Sequence, residues 1–230
     1  MRATRGVSFL ASSLVALLLL VVVPSGTALA AAKKKKVKAR STAASSKGFG
    51  EAPLTFDQVV AGFSTRLGAP TDPCPCGQPK MNEQTTSTYA GCCMPYHDGT
   101  TLAGTPLRVL QTRYSAFYYR LIPYIMRTTH PTCRDYQTNN IAWAKDLHAT
   151  GMFDSYDFVA LAPGTTVPGQ DDDEAFLDFT VCLRTRDTDA PAETVVAETS
   201  RFLKVDGAWL YASGEVRSTE AGLTDVVLNP

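Results

Sequence analysis

The chain has 230 residues, of which 44% are hydrophobic and 19% charged, with 22 basic and 22 acidic side chains. Nine of the basic residues lie in residues 1–50, which contain no acid, so the remaining 180 residues carry 13 basic and 22 acidic side chains, a net charge of −9. The negative charge of residues 51–230 argues against general nucleic-acid binding, because the affinity of proteins for nucleic acids comes largely from neutralising phosphates.

Residues 1–30 have the pattern of a secretory signal peptide. Arg2 and Arg5 precede an apolar run from Phe9 to Val23, and residues 28–30 (Ala-Leu-Ala) form a small-x-small cleavage site. The apolar run is shorter than the ~20 residues that a spanning helix needs. We therefore expect cleavage, with no stable membrane anchor afterwards; the alternative is a retained single anchor.

Residues 31–50 are rich in Lys, Ala, Ser and Thr. This composition resembles an organelle transit peptide. A signal peptide followed by such a segment resembles the two-part address of plastid proteins in algae whose plastid lies inside the endomembrane system. The alternative is a disordered basic tail on an exported or periplasmic protein. In either case the protein enters the secretory pathway.

A short helix and linker are predicted over residues 51–70. Thr55 is a candidate cap, and apolar residues recur at helical spacing up to Leu67, where Gly68 and Pro70 follow. The next segment, residues 71–100, has no regular period, as is typical of a loop wrapped around a centre.

Four of the six cysteines lie in that segment: Cys74, Cys76, Cys92 and Cys93. Four thiolates around one zinc ion form a closed, structural site, because no position remains for a substrate. Disulfides from Cys74 to Cys92 and from Cys76 to Cys93 are the alternative in an oxidising compartment. We favour zinc, with Cys93 as the fourth ligand and His97 as the alternative fourth ligand.

Residues 105–217 are predicted to form one α+β domain, followed by a tail over residues 218–230. Thr105-Pro106 has the pattern of a helix start. A second helix or turn is predicted from Pro123 to His130, and a third within Arg134–His148. The expected apolar stripe of the first helix comprises Leu107, Leu110, Tyr114, Phe117 and Leu121.

After Gly151 the apolar period changes to two, which indicates strands. The predicted strands are Phe158–Leu161, Glu174–Arg186, Thr194–Val205 and Ala208–Val216. The Asp206-Gly207 pair between the last two is a strong hairpin signal. It would place Leu203 opposite Leu210 and Phe202 opposite Tyr211.

The stretches "PCPCG" and "YAGCCMPYHDG" resemble the SEC-C metal-binding motif. With "TPLRVLQTRYSAF", "TTHPTC" and "SRFLKVDGAWLY" they resemble the bacterial YchJ family. The resemblance implies a nuclear transport factor 2-like cone, a curved antiparallel sheet around helices with an internal cavity, and an N-terminal zinc-binding loop. It implies that the four clustered cysteines are the metal ligands. The positions that recur in the family are Arg113, Tyr114, His130, Pro131, Arg201, Phe202, Trp209 and Tyr211.

Two features depart from the family pattern. Fifteen residues separate Cys76 from Cys92, where about eight are usual, and we expect the polar insertion "MNEQTTST" to loop out. Many members also carry a second motif at the C-terminus, whereas residues 217–230 contain no cysteine.

The YchJ family has no settled activity, so the resemblance does not imply one for this chain. The first hypothesis is a zinc-stabilised adaptor or ligand-binding protein whose partner is an unknown protein or small molecule. The second is a small enzyme of isomerase or hydrolase type, with His130 as general base near Asp178 or Tyr114. For His130 itself we favour a structural role, in which it caps a helix end before Pro131 and packs against the domain.

The other polar candidates of the cavity are Arg113, Arg201 and Tyr211. The two arginines either bind an anionic ligand or pair with acids such as Asp178 and Glu198, and we expect pairing. Cys133 and Cys182 are expected to be core thiols, with a bridge between them as the alternative.

Overall fold

The structure is a computed structural model, and it describes residues 52–77, 87–186, 189 and 192–221, with side chains up to residue 217. The predicted signal peptide, the basic segment, most of the polar insertion and the tail beyond residue 221 lie outside these ranges. Within them, no helix is both long and apolar enough to cross a membrane.

The described residues form six helices. They are α1 (Phe56–Ala61), α2 (Met94–His97), α3 (Pro106–Tyr119), α4 (Ile122–Arg127), α5 (Asn140–His148) and α6 (Met152–Ser155). Side-chain oxygens cap three of them: Thr55 accepts from the Gln58 amide, Thr105 from the Arg108 amide, and Asn139 from the Ala142 amide. Pro106 follows Thr105 as the first residue of α3, where a missing N–H costs nothing.

Two helices are shorter than the sequence predicts. Helix α1 ends at Ala61 rather than near Leu67, because Gly62 closes it, and Leu67 is 50% exposed. Helix α5 begins at Asn140 rather than Arg134, because the Asn139 side chain provides the cap. Trp143 and Leu147 lie about one turn apart on α5, and both are buried.

Four strands follow the helices: β1 (Tyr156–Pro168), β2 (Glu174–Thr185), β3 (Glu193–Val205) and β4 (Ala208–Ala221). They form one antiparallel sheet in the order β1-β2-β3-β4. Each strand therefore pairs with its neighbour in sequence. Strand β1 is longer than predicted at both ends, and β4 continues five residues past Val216.

The predicted hairpin is confirmed in its register. Asp206 and Gly207 have φ values of 50° and 81°, as a two-residue turn of this kind requires. Leu203 then pairs with Leu210, and Phe202 with Tyr211. Register shifts between β3 and β4 and between β1 and β2 interrupt the ladders, and such bulges bend a sheet.

One face of the sheet packs on the helices. The apolar residues that alternate along β2 are all buried: Leu177, Phe179, Val181 and Leu183. Helix α3 lies against this core through Leu110, Tyr114 and Phe117. Leu107 does not, because its side chain is 37% exposed, so its assignment to the apolar stripe is wrong.

The opposite side of α3 is also covered. Gln111, Thr112 and Ser115 are buried although their side chains are polar. The cysteine segment packs there, in a second cluster that contains Tyr119 and the four clustered cysteines. Helix α3 is thus enclosed between the sheet and the cysteine segment.

Candidate metal centre and internal cavity

The four cysteines predicted as ligands come together. Their sulfurs all lie within 4.8 Å of one another: Cys74, Cys76, Cys92 and Cys93. The Sγ atom of Cys76 is 3.5 Å from that of Cys74 and 3.4 Å from that of Cys92, and Cys92 is 3.8 Å from Cys93. No side chain in this cluster is more than 6% exposed.

Backbone bonds close the loop on which these cysteines lie. The amide of Cys74 donates to the carbonyl of Ser87 at 2.7 Å, and the amide of Tyr89 donates to the carbonyl of Asp72 at 2.8 Å. Pro73 and Thr88 form an isolated bridge between the same two stretches. Gly77 has φ of 71°, a conformation that favours glycine, and so turns the chain after Cys76. Residues 72–74 and 87–89 are therefore held side by side.

The sulfur separations fit a tetrahedral metal site. Thiolates at ~2.3 Å from a tetrahedral zinc centre lie about 3.8 Å from one another, close to the 3.4–3.8 Å of the three short pairs. A disulfide brings its sulfurs to ~2.05 Å, and all six cysteines, including Cys133 and Cys182, are free. The buried four-cysteine cluster is thus consistent with a metal site.

The surroundings of Cys92 favour its thiolate form, whereas the neighbouring thiols and burial raise the pKa of Cys76 and Cys93. Hydrogen bonds from the neighbouring thiols of Cys74, Cys76 and Cys93 lower the pKa of Cys92, and the nearby positive charge of Arg108 acts in the same direction. Arg108 Nη1 lies 3.8 Å from the Cys92 sulfur. A closed set of four thiolates would need such a positive neighbour, because one divalent ion leaves it with a net negative charge.

His97, the alternative fourth ligand, has both ring nitrogens engaged elsewhere. Nε2 lies 2.9 Å from the carbonyl oxygen of Thr112, and Nδ1 lies 2.8 Å from the hydroxyl of Tyr89. Since a carbonyl oxygen only accepts, Nε2 carries the proton and Nδ1 accepts from the tyrosine. Burial lowers the pKa of His97 to about 4. The geometry favours Cys93 over His97 as the fourth ligand.

The cysteine segment is attached to α3 and α4 by several contacts. The Cys93 thiol lies 3.8 Å from the carbonyl of Gln111. The ring of Tyr89 meets the ring of Tyr119 edge to face, with centroids 4.7 Å apart. Arg127 donates from α4 to the carbonyl oxygens of Tyr96, at 2.8 Å, and of His97.

A cavity lies on the other side of α3, between that helix and the sheet. The volume of this cavity is about 60 Å³. One water molecule needs ~10–15 Å³, so the cavity has room for several. The apolar walls comprise Leu110, Phe117, Ile125, Cys133, Trp143, Leu147, Phe158, Phe179, Val181 and Phe202. The polar lining comprises Arg113, Tyr114, Thr129, Asp135, Glu198, Ser200 and Tyr211.

Arg113 is buried in the wall of this cavity. Its Nη1 donates to the carbonyl of Ile125 and to the hydroxyls of Thr128 and Thr129 at 2.8–3.1 Å. Its guanidinium carbon lies 4.6 Å from the centre of the Tyr211 ring. Burial lowers the pKa of Arg113, and nearby groups that include Tyr211 and Glu198 oppose that effect.

The side chains of Glu198 and Tyr211 both pack against the backbone of Gly214. A Cβ placed on Gly214 would lie 2.6 Å from both the carboxyl carbon of Glu198 and the hydroxyl of Tyr211. Ser200 donates to the fully buried carboxylate of Glu198 at 2.6 Å. Five residues of the polar lining thus form one connected group against otherwise apolar walls: Arg113, Thr129, Glu198, Ser200 and Tyr211.

Three of the five predicted cavity residues line the cavity, namely Arg113, Tyr114 and Tyr211. Arg201 does not; it forms an ion pair with Glu174, rather than with the expected Asp178 or Glu198. Asp178 instead accepts from Thr199 and lies 3.5 Å from Arg217.

His130 also lies outside the cavity lining. Its backbone amide donates to the carbonyl of Tyr211 at 2.7 Å, and its Nδ1 contacts the Thr132 hydroxyl. It does not cap a helix end either, because α4 ends at Arg127 with Thr128 as its cap. The structure therefore does not place His130 in the cavity lining, where a general base would have to act.

The isolated cysteines are buried, as expected for core thiols. Cys133 lies in the cavity wall, and the Cys182 thiol is 3.7 Å from the Glu193 carboxylate. The sequence analysis missed Ser200, and it assigned Glu198 only as an ion-pair partner. Both lie an even number of residues from Val196 and Phe202 on β3, and therefore on the same, buried face of the strand. The alternation of apolar residues along β3 could have identified them as polar residues on that face.

An antiparallel sheet curved around helices, with an internal cavity and an adjoining four-cysteine segment, defines a nuclear transport factor 2-like domain joined to a small metal-binding motif. A family profile described as "YchJ, middle NTF2-like domain" matches residues 105–214. The chain belongs to this YchJ family, whose curated members carry the designation UPF0225.

A UPF0225 protein of Yersinia pestis is 30% identical over 141 residues, which cover 61% of this chain and 81% of that protein. One of Photorhabdus laumondii is 29% identical over 144 residues, covering 63% and 80%. A solved SEC-C motif containing protein from Rhodopseudomonas palustris is 26% identical, with a TM-score of 0.45 and coverage of 59% of this chain and 96% of that one. Another from Psychrobacter arcticus is 26% identical, with a TM-score of 0.46 and coverage of 62% and 81%.

Proposed function

We propose that this protein binds a small molecule in the cavity of its sheet, and that its cysteine segment holds one structural zinc ion. The observation that carries the binding function is the cavity itself. Apolar and aromatic walls with a few convergent polar groups are the usual composition of a small-molecule site. A ligand bound in such a cavity would also be shielded from water.

The zinc ion has a separate, structural role. Four soft ligands in a tetrahedral arrangement suit zinc, and four protein ligands leave no open coordination position. Residues Cys74, Cys76, Cys92 and Cys93 would hold the ion and connect both ends of the loop to α3. The metal would then stabilise the fold without taking part in the binding of the small molecule.

Elemental analysis tests the zinc assignment. We expect about one zinc per chain in protein expressed from Glu51 under reducing conditions, and a loss of zinc in Cys76→Ser. Cys182→Ser is the matched control, because Cys182 is equally buried but lies outside the cluster. Wild-type protein that is free of zinc and has the four thiols oxidised would contradict the assignment.

Binding in the cavity is tested with small apolar probes by ligand-observed NMR and by the fluorescence of Trp143, which lines the cavity. We expect Val181→Phe to abolish binding, because the larger side chain occupies the cavity. Val159→Phe, at a half-exposed position on β1, should bind like the wild type. If no probe binds the wild type and a protein partner is captured instead, the adaptor hypothesis replaces this one.

A further inference from the structure

A second pocket opens at the surface, beside the start of the edge strand β1. Its volume is about 380 Å³, within the range of ~300–1,000 Å³ that is typical of ligand sites. Four charged side chains line it, and three of them are arginines: Arg66, Arg184, Arg186 and Asp157. Residues 51–230 have a net charge of −9, so a pocket lined mainly by cations contrasts with the charge of the protein as a whole.

The backbone holds the three arginines around the pocket. Arg66 follows α1, and its amide donates to the last carbonyl of α3 at 2.9 Å. The amide of Arg186 donates to the carbonyl of Ser155, at the start of β1, at 2.9 Å. Arg184 is paired with Asp157 across β1 and β2. Three elements that are far apart in sequence therefore bring their cations to one place.

Positive charge is in excess around this pocket. Each lining arginine has one acidic partner, in the pairs Arg66–Asp154, Arg184–Glu193 and Arg186–Asp157. Arg120 is a fourth cation, and it lies 3.1 Å from the same Asp154. Four arginines therefore share three acids. Burial lowers the pKa of Arg66, and the charges of Arg186 and Arg120 lower it further, by more than Asp154 and Asp157 raise it.

The three lining arginines are accessible to a ligand. Their side chains are 27–51% exposed. A guanidinium group carries five N–H donors, and the ion pairs use Nη2 of each arginine and, in Arg184, also Nε. Ion pairs that are this exposed contribute little to stability. An anion can therefore bind beside the acids, or in place of one of them, at little cost.

Apolar surface borders the arginines. Tyr118 of α3 and Val159 of β1 also line the pocket, and they are 40% and 41% exposed. The ring of Tyr118 packs edge to face against that of Tyr119, with centroids 5.2 Å apart. A ligand with its anionic group among the arginines would thus place its carbon body against Tyr118 and Val159.

We propose that this pocket binds a small phosphate monoester, with its carbon body against Tyr118 and Val159 and its phosphate among the three lining arginines. A phosphate monoester carries a charge of about −1.5 to −2 at pH 7 and three acceptor oxygens, and guanidinium groups pair with phosphate through two parallel N–H donors. Three guanidinium groups can contact three oxygens, whereas a carboxylate offers only two. None of these five residues lines the internal cavity, so the site is additional to the function proposed above.

Four probes test the class of ligand on the purified protein: phenyl phosphate, inorganic phosphate, benzoate and benzylamine. Dissociation constants come from the shifts of the amide signals of Val159, Arg184 and Arg186 in NMR titrations. We expect phenyl phosphate to bind most tightly, inorganic phosphate more weakly, and benzylamine not at all. Benzoate binding as tightly as phenyl phosphate would contradict a phosphate site, and equal binding of the two phosphates would contradict an ester.

Two substitutions with opposite expected effects test the residues. Arg186→Gln should weaken the binding of phenyl phosphate roughly 5- to 20-fold, less than the value of a buried charge-assisted hydrogen bond because water and salt screen an open pocket. Asp157→Asn should tighten it, because Asp157 competes for Arg186. A variant that merely folds poorly would not bind more tightly.

Arg217→Gln and Asp178→Asn are the matched controls. They change the net charge in the same way, and the two residues form a similarly exposed ion pair, 3.5 Å apart, outside the pocket. Both controls should bind phenyl phosphate like the wild type. The proposal is wrong if neither phosphate gives saturable shifts, if Arg186→Gln and Arg217→Gln weaken binding equally, or if Asp157→Asn does not tighten it. None of these results bears on binding in the internal cavity.

Discussion

The Nε2 atom of His97 lies 2.9 Å from the carbonyl oxygen of Thr112, in the middle of α3. A histidine inside a cysteine-rich segment is an obvious candidate ligand, yet this bond and the one to Tyr89 occupy both ring nitrogens. His97 therefore connects the cysteine segment to the helix that it covers. The bond joins the segment that contains the four-cysteine cluster to the domain that contains the cavity.

Replacing His97 should lower stability without removing the metal. His97→Phe leaves the hydroxyl of Tyr89 without its partner, and such a buried group costs about 1–3 kcal/mol. The carbonyl of Thr112 loses one bond but still accepts from the Ser115 hydroxyl at 3.1 Å. We expect a loss of that order in urea unfolding and an unchanged zinc content. His148→Phe, on the less buried histidine of α5, is the control. A variant without zinc would make His97 a ligand after all.

The two leucines of α3 should respond differently to truncation. Leu110 is buried in the core and in the cavity wall, whereas Leu107 is 37% exposed. We expect Leu110→Ala to lower the free energy of unfolding by about 2–5 kcal/mol, and Leu107→Ala to change it by less than about 0.5 kcal/mol. Chemical denaturation measures both. Equal losses would mean that Leu107 is covered in solution by something that the structure does not contain.

Gly214 is predicted to tolerate no side chain. An added Cβ would overlap the carboxyl of Glu198 and the hydroxyl of Tyr211, so one of these buried groups would have to move. We expect Gly214→Ala to cost about 1–3 kcal/mol, the usual range for overpacking. Gly104→Ala, where nothing lies within 4 Å of the new atom, is the comparison. A neutral Gly214→Ala would show that the polar group of the cavity is loosely held.

Removal of the metal should affect one side of the domain. The sheet has its own apolar core, and we expect residues 105–230 to fold without the cysteine segment. Chelation followed by hydrogen exchange should show lost protection over residues 73–77 and 87–99, weaker protection at Gln111–Ser115 in α3, and little change in β2 and β3. Loss of protection throughout β2 and β3 would mean that the cysteine segment is needed for the sheet.

Much of this fold follows from local sequence patterns. Thr105-Pro106 begins a helix, Asp206-Gly207 closes a hairpin in the predicted register, and the alternation from Leu177 to Leu183 marks a buried strand face. These features depend on residues close together in the chain. The four clustered cysteines were also predictable, because their chemistry leaves few alternatives.

The remaining features depend on distant contacts. The polar side of α3, with Gln111, Thr112 and Ser115, has the sequence of a solvated face, and only the cysteine segment makes it buried. Likewise, nothing near His130 in the sequence shows that its backbone joins β4 and leaves its ring outside the cavity. When a distant segment of the chain buries polar side chains, the local pattern of apolar and polar residues does not show it.

The order of the strands has a consequence for how the domain is made. Because β1, β2, β3 and β4 pair only with their neighbours in sequence, the sheet can grow as successive hairpins while the chain is still emerging. Contacts between residues close in sequence carry a small entropic cost of closure, which favours rapid folding. The helices precede the strands in the chain, so the helical half can pack fully only after the last strand of the sheet has emerged.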